Sequence, residues 1–272
     1  MSTLIIPKII HHIAPEDYSV WHPVWNRCRD SFVQKFSGYD HKLWNDRDEI
    51  DQLVYDSFRE FWNLYSSFPY HIMRIDFARL CILHKHGGIY ADMDYYCYKN
   101  FEQYLTKKNV FIENKSQLYT SAEYENCLMA SQANSEFLYN VIKNTKSSFI
   151  QHRHLLNNKD KDWRSHESSY AVNNITGSGM LSACIQAFGD NFSLGLFPHD
   201  LFNQDPIIFN SNLIGRHLHS SLWGDDYINH ESKEAFIIKE GNILNCTKEF
   251  LKTNLSAQKW EDFDFYRNYN DT

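Results

Sequence analysis

The chain has 272 residues, with 27 Lys+Arg against 34 Asp+Glu for a formal net charge of −7 at pH 7, and 43% of its residues are hydrophobic with only 10 Gly and 6 Pro. That length supports one large α/β domain or two small ones and buries about three-quarters of the unfolded surface, while the composition excludes disorder, collagen and coiled coil. An acidic balance without any long Lys/Arg run argues against nucleic-acid binding, because phosphate neutralisation needs a basic face.

No apolar stretch approaches the 18 residues a membrane span requires. The segment Met1 to Ala14 is interrupted by Pro7, Lys8, His11 and His12 and lacks the apolar run of a signal peptide, so a cytoplasmic location is expected. Cys28, Cys81, Cys97, Cys127, Cys184 and Cys246 are scattered without a C-x-x-C, which suits reduced, buried thiols and not a disulfide framework or a cysteine zinc site.

In chain order, Ile5 to His12 is short, apolar and β-branched, the pattern of a buried first strand. Pro23 opens a helix whose apolar positions Val24, Cys28, Phe32 and Phe36 recur every four residues. A strand is expected over Tyr39 to Trp44. Ile50, Leu53, Val54, Phe58, Phe61, Trp62 and Tyr65 then predict one long amphipathic helix from Asp46 to Tyr65. Ile72 to His86 is a second helix, with Met73, Phe77, Leu80 and Leu83 inward and Gly87 as its stop. The period next changes to two: Ile89, Ala91 and Met93 alternate with Tyr90, Asp92 and Asp94, as in a strand. Apolar runs at Val110 to Ile112, Cys127 to Ala130, Leu194 to Phe197 and Leu213 to Leu218 interleave with helical patterns at Phe137 to Lys143 and Met180 to Phe188, so the class is α/β. With no repeat or linker, one domain is expected over residues 1–243, with a helical tail over 244–272 packed on it.

Asp92-Met93-Asp94 is the first chemical candidate, since residues i and i+2 of a strand aim two carboxylates at one point, and such a pair suits Mg²⁺ or Mn²⁺. Four Asp-x-Asp spacings occur among the 20 aspartates, so spacing alone selects none of them. Position selects this one: it closes an apolar strand after Gly87-Gly88, where a parallel sheet opens to ligands at its carboxyl end. Two buried carboxylates there would repel without a cation. Upstream, Asp76 and Arg79 stand three apart on one helix face, the spacing of an ion pair. By itself that pair reads as an ordinary surface contact worth under about 1 kcal/mol.

Arg74-x-Asp76-x-x-Arg79 followed by Gly87-Gly88-Ile89-Tyr90-Ala91-Asp92-Met93-Asp94 resembles the signature of the glycosyltransferases carrying the DXD sugar-binding region. That family includes yeast mannosyltransferases and bacterial polysaccharide enzymes and is related to clostridial glucosylating toxins. Four further segments resemble it in the same order: Ile6 to His12, Glu125 to Phe137, Asn174-Ile175-Thr176-Gly177, and His217 to Trp223. The resemblance implies a GT-A type nucleotide-sugar-binding fold with a mixed central sheet flanked by helices. It implies a metal-dependent retaining transfer of a monosaccharide from a nucleotide sugar, UDP-linked by preference, to a hydroxyl of a glycan or lipid-linked acceptor in surface polysaccharide assembly. A peripheral contact with the inner face of the membrane fits that setting, and a toxin-like protein acceptor is the variant reading. Asp92, Asp94 and His217 are the implied Mn²⁺ or Mg²⁺ ligands, with His219 the rival. Asp76 and Arg79 are implied to hold the donor sugar and to act with the two acids in catalysis, while His12, Ile13, Tyr90, Thr176, Gly177 and Trp223 border the donor.

Two other classes compete. An aspartyl-phosphate phosphohydrolase would use Asp92 as nucleophile, although Tyr96 stands where that class wants Thr and Asn229 where it wants an acid. A non-catalytic glycan-binding module would have little use for an acidic pocket beside an Arg. His84-x-His86 and His152-x-His154 have ligand-like spacing, but the first pair sits at a helix end, where a cationic side chain complements the dipole, and no zinc is expected.

Overall fold

The computed structural model describes residues 6–115, 122–156, 166–203 and 212–218, together with strands at Glu234–Lys239, Asn242–Thr247 and Asp264–Tyr266. Strand β1 (Ile9–Ala14) leads through α1 (Pro23–Lys35) to β2 (Asp40–Asn45). Next come α2 (Asp48–Ser57), α3 (Trp62–Ser66), α4 (His71–His86) and β3 (Gly88–Ala91). A short β4 (Tyr95–Cys97) is followed by β5 (Asn109–Glu113), β6 (Tyr124–Ser131) and α5 (Glu136–His152). Helices α6 (His166–Ile175) and α7 (Ser178–Phe188), strand β7 (Leu194–Phe197), the single turn α8 (His199–Phe202) and β8 (Gly215–His217) complete the described body.

Six strands form one mixed sheet in the order β2-β1-β3-β6-β5-β7. β2, β1 and β3 run parallel, β6 runs against both β3 and β5, and β7 is parallel to β5. The carboxyl ends of β2, β1 and β3 therefore share one edge, the edge where ligands of such sheets bind. This is the α/β class that the residue periods called for, with the mixed, helix-flanked sheet that the resemblance implied. Helix α4 is buried on most of its surface, and Phe77, Ala78, Cys81, Ile82 and Leu83 have no accessible area, because it lies in the larger core with side chains of α2, α5 and α7. A second core on the other face packs Phe32 and Phe36 of α1 with Phe101, Phe197 and Phe202.

Several expectations are corrected. The single helix expected from Asp46 to Tyr65 is broken at Phe58 (φ −135°, ψ 43°). In a straight helix Asp51 and Tyr65 would be about 21 Å apart, yet the Tyr65 hydroxyl donates to Asp51 Oδ1 at 2.6 Å. Folding α3 back lets Phe58 meet His84 and Phe61 and Tyr65 meet Phe77, so both halves bury their apolar faces against α4. Helix α6 is an element the sequence reading did not list. At the far end, Asn242–Thr247 and Asp264–Tyr266 are strands pairing antiparallel with Glu234–Lys239, where a helical tail was expected; sheet hydrogen bonding overrides the weak helical spacing there. The five cysteines with described side chains are free and buried, as their spacing indicated.

Candidate active site

The site grows from the α4–β3 corner. Gly87 and Gly88 take φ of +65° and +96°, a region L side chains disfavour, and a Cβ on Gly88 would lie 2.4 Å from the Ile9 carbonyl oxygen. These two residues let the chain leave α4 and enter the sheet directly against β1. The strand ends at Ala91, three residues earlier than its alternation suggested. Asp92 to Asp94 form a turn closed by the Tyr95 N–H on the Asp92 carbonyl at 3.0 Å. It is thus a turn, and not strand alternation, that brings the two carboxylates together. Met93 between them is fully buried and pins the turn, while the Asp92 N–H donates to the Cys127 carbonyl of β6 at 2.8 Å.

His217 arrives from 123 residues away. β8 pairs antiparallel with β4, which places His217 opposite Tyr95, and the Leu218 N–H donates to the Asp94 carbonyl at 2.9 Å. The imidazole Nε2 then lies 3.1 Å from Asp94 Oδ1. One ligand atom from each of Asp92, Asp94 and His217 falls within 4.8 Å of the others, and they form the one such potential metal-binding group among the described residues. Two carboxylate oxygens and one imidazole nitrogen suit Mn²⁺ or Mg²⁺. The donor set therefore fits the cation the resemblance implied. His84, His86, His152 and His154 form no such group.

Behind this trio lies a second polar cluster, on the β6 side of Asp92. Arg79 is 2% exposed and pairs with Asp76 Oδ1 at 3.0 Å and Asp92 Oδ1 at 3.0 Å. Its Nη1 also donates to the Asn126 carbonyl at 3.0 Å. Asp76 accepts from the Asn126 amide at 3.0 Å and the Thr176 hydroxyl at 3.2 Å, and Asp92 accepts from the Tyr90 hydroxyl at 2.7 Å. The surface ion pair read from Asp76 and Arg79 in isolation is therefore corrected: both are buried between α4, β3 and β6. Burial pushes the Asp76 carboxyl up to about 6 against the pull of Arg79, with Asp92 adding repulsion. Desolvation likewise raises Asp92 despite Arg79, and Asp94 adds to the rise. Three carboxyl groups against one guanidinium leave an acidic pocket that a bound cation would relieve.

Asn126 reaches this cluster through an irregularity in β6. Phe111 of β5 pairs with Met129, but Ile112 pairs with Glu125, so Asn126, Cys127 and Leu128 have no counterpart on β5. Bulges re-aim side chains beside functional sites. Asn126 lies in the Glu125 to Phe137 segment that resembles the family, but the sequence alone assigned it no role of its own.

The structure thus brings Asp76, Arg79, Tyr90, Asp92, Asp94, Thr176 and His217 together, with Gly177 adjoining as the residue that begins α7. His12 and Ile13 differ. Ile13 is fully buried in the larger core, and the His12 side chain is 1% exposed, edge-on to Phe32, with Nδ1 donating to the Ala91 carbonyl at 2.8 Å. Alternate positions of β1 face the two cores, and His12 braces the end of β3. Trp223 and His219 lie outside the described residues.

Residues 23–116, which carry Asp76, Arg79, Asp92 and Asp94, match the family described as glycosyltransferase sugar-binding region containing DXD motif. The chain is similar to inositol phosphoceramide mannosyltransferase 1 of Schizosaccharomyces pombe, at 28% identity over 55% of this chain and 45% of the relative. An uncharacterized glycosyltransferase, L373, of Acanthamoeba polyphaga mimivirus is 30% identical over 52% of this chain and 55% of its own. Mannosyl phosphorylinositol ceramide synthase CSH1 of Saccharomyces cerevisiae is 30% identical over 52% of this chain and 36% of the relative. The matches span about half the length of these relatives or less. No helix among the described residues is long and apolar enough to cross a membrane.

Proposed function

We propose that the chain is a metal-dependent, retaining glycosyltransferase that moves a monosaccharide from a nucleoside diphosphate sugar to a hydroxyl of a glycan or lipid-linked acceptor. One observation carries the reading: a three-ligand acidic site at the carboxyl edge of the parallel strands, directly beside a buried Asp76–Arg79–Asp92 cluster. In this reading Asp94 and His217 hold Mn²⁺ or Mg²⁺ together with Asp92, and the cation offsets the charge that accumulates on the departing diphosphate. Asp92 is oriented for this by Tyr90 and Arg79, which donate to its oxygens. Asp76, Arg79 and Thr176 receive the donor sugar, where charge-assisted hydrogen bonds give orientation as well as affinity. Two of the relatives above are named for mannosyl or inositol phosphoceramide chemistry, which supports a glycolipid-like acceptor; UDP-linked donors are the first to assay and GDP-mannose the next.

The phosphohydrolase alternative asks Asp92 to be an unencumbered nucleophile. Its oxygens already accept from Arg79 and Tyr90, with the guanidinium in the same burial, so the geometry favours a held ligand over an attacking group.

Thermal melting with UDP and GDP, each with and without Mn²⁺, is the test. Joint stabilisation by one nucleotide plus metal, abolished in Asp94→Asn, is the expected outcome. A melting temperature that no nucleotide–metal pair moves would sink the reading.

A further inference from the structure

We propose that the outer face of α5, together with the neighbouring start of α6, is a docking surface for an anionic lipid bilayer, set on the same edge of the molecule as the acidic site. The inference goes beyond the glycosyl-transfer reading and does not depend on it.

The charge of the chain is unevenly laid out. Residues 137–159 contain no Asp or Glu, the longest such run in a chain of net charge −7, and they hold Lys143, Lys146, Arg153 and Lys159. Lys143, Lys146, Ile150, Arg153 and His154 are all exposed, and their spacing keeps them on one side of α5 and of the 3₁₀ turn, Arg153–Leu155, that continues it. Acids stand at the margins: Glu60 accepts from the Tyr139 hydroxyl at 3.2 Å near the amino end of α5, and Glu167 lies in the first turn of α6. Ile150 is 61% exposed and Tyr170 of α6 is 52% exposed. The His152 ring lies edge-on to Tyr170 with 6.1 Å between centroids, which joins the two elements. An isoleucine among cations adds nothing to a contact with a soluble polyanion. It matches a bilayer surface, where apolar side chains enter below the headgroups, tyrosines sit at their level and Lys/Arg meet the phosphates.

Topology sets this face beside the site. Helix α4 ends at Gly87 against the amino end of β3, so it begins at the carboxyl edge of the sheet. α5 lies antiparallel to it: His84 Nδ1 donates to the Ser135 carbonyl at 2.9 Å where one helix ends and the other begins, and Phe68, just before α4, meets Phe149 with 5.8 Å between centroids. α6 joins the same end, with the hydroxyls of Tyr70 and Ser168 3.1 Å apart and Thr176 donating to Asp76. Ile150, Arg153 and Tyr170 therefore stand at the end of the helical layer that Asp76 and Thr176 occupy. A bilayer held against them brings its headgroups to the edge that carries the acidic trio, while the acidic remainder of the protein is repelled by the like charge of the lipid.

The test is sedimentation with sucrose-loaded vesicles of phosphatidylcholine alone and of phosphatidylcholine with about one-third phosphatidylserine, at about 0.1 M and about 0.5 M salt. We expect binding to the anionic vesicles only, and its loss at the higher salt. Each basic residue close to such a surface contributes about fivefold in partition, so Lys143→Glu, Lys146→Glu and Arg153→Glu together should lower it about a hundredfold or more. Ile150→Ser with Tyr170→Ser should lower it about tenfold and leave the salt response in place. Lys35→Glu, Lys107→Glu and Lys108→Glu change the net charge equally at exposed positions outside α5 and α6, and that set should bind within about threefold of wild type. Melting temperatures within about 3 °C of wild type check that each variant is folded. Absence of sedimentation with anionic vesicles, equal binding to neutral ones, or an equal loss in the Lys35 set would overturn the assignment. Retention on heparin without vesicle binding would overturn it too, by assigning the cations to a soluble polyanion. None of these results bears on glycosyl transfer, which stands or falls on the nucleotide–Mn²⁺ melting.

Discussion

Replacing Arg79 with methionine removes the one guanidinium that compensates Asp76 and Asp92 while keeping most of the side-chain volume. Both ion pairs are 3.0 Å long, and all three side chains are at least nine-tenths buried. Removing one partner of a buried pair and leaving the other uncompensated costs about 3–5 kcal/mol. For a chain of this size that corresponds to a fall in Tm of about 6–20 °C. The loss must depend on pH. Burial raises Asp76 to about 6 even with Arg79 in place, above its unfolded value of 3.8, so its contribution is most favourable below the unfolded value and is lost as pH rises through 6. Without Arg79 the carboxyl rises further and takes up its proton earlier on acidification, which removes the uncompensated charge. Melting curves followed by tryptophan fluorescence at pH 7.5 and 5.5 should therefore show a larger gap between variant and wild type at the higher pH. Adding Asp76→Asn to Arg79→Met should recover part of the gap at pH 7.5. A deficit below about 2 °C, or one of equal size at both pH values, would refute the view that Arg79 is there to balance buried carboxylates.

Two further perturbations test the frame beneath the site. His11 and His12 are held neutral, mainly by burial, at pKa values of about 4 and about 3, with Gly87 and Ala91 carbonyls opposing the shift. Folded values below the unfolded 6.5 mean that the stability they provide is present above pH 6.5 and lost as pH falls toward those values, about 3 kcal/mol each by pH 4.5; a denaturant midpoint unchanged between pH 7.5 and 4.5 would contradict this, and His12→Asn should flatten the dependence. Gly88→Ala would force φ of +96° on an alanine and drive its Cβ into the Ile9 carbonyl. We expect a loss of about 3 kcal/mol or more in urea unfolding, and a variant as stable as wild type would show that β3 need not approach β1 so closely.

Much of this architecture was legible in the residue order because periodicity and punctuation agreed. Helix α4 ends at Gly87, where the apolar spacing stops, and β3 begins at the next residue. Asp92, Asp94 and His217 were identified as a set from a resemblance that stretches well beyond any single short motif, and they converge. What could not be read depends on contacts between distant residues. The break at Phe58 follows from Tyr65 reaching Asp51 while the apolar spacing runs on uninterrupted. Asp92 continues the alternation of β3 in one dimension, yet it leaves the strand because Met93 is drawn into the core and the Cys127 carbonyl captures its N–H. The irregularity at Asn126 is a matter of hydrogen-bond register between β5 and β6, which side-chain pattern does not encode. Burial of Asp76 and Arg79 could not be foreseen from their own helix, since Asn126 and Thr176 enclose them from elsewhere.

The clip between Leu218 and Asp94 has a consequence for how the molecule is made. A nascent chain emerging amino end first exposes both acids before the imidazole that joins them, so the cation pocket stays two-sided while the next 123 residues are added. Competence arrives in one late step, when the returning segment adds its short strand beside residues 95–97. A truncation between residues 203 and 215 would keep all six strands of the sheet and lose the imidazole that completes the trio.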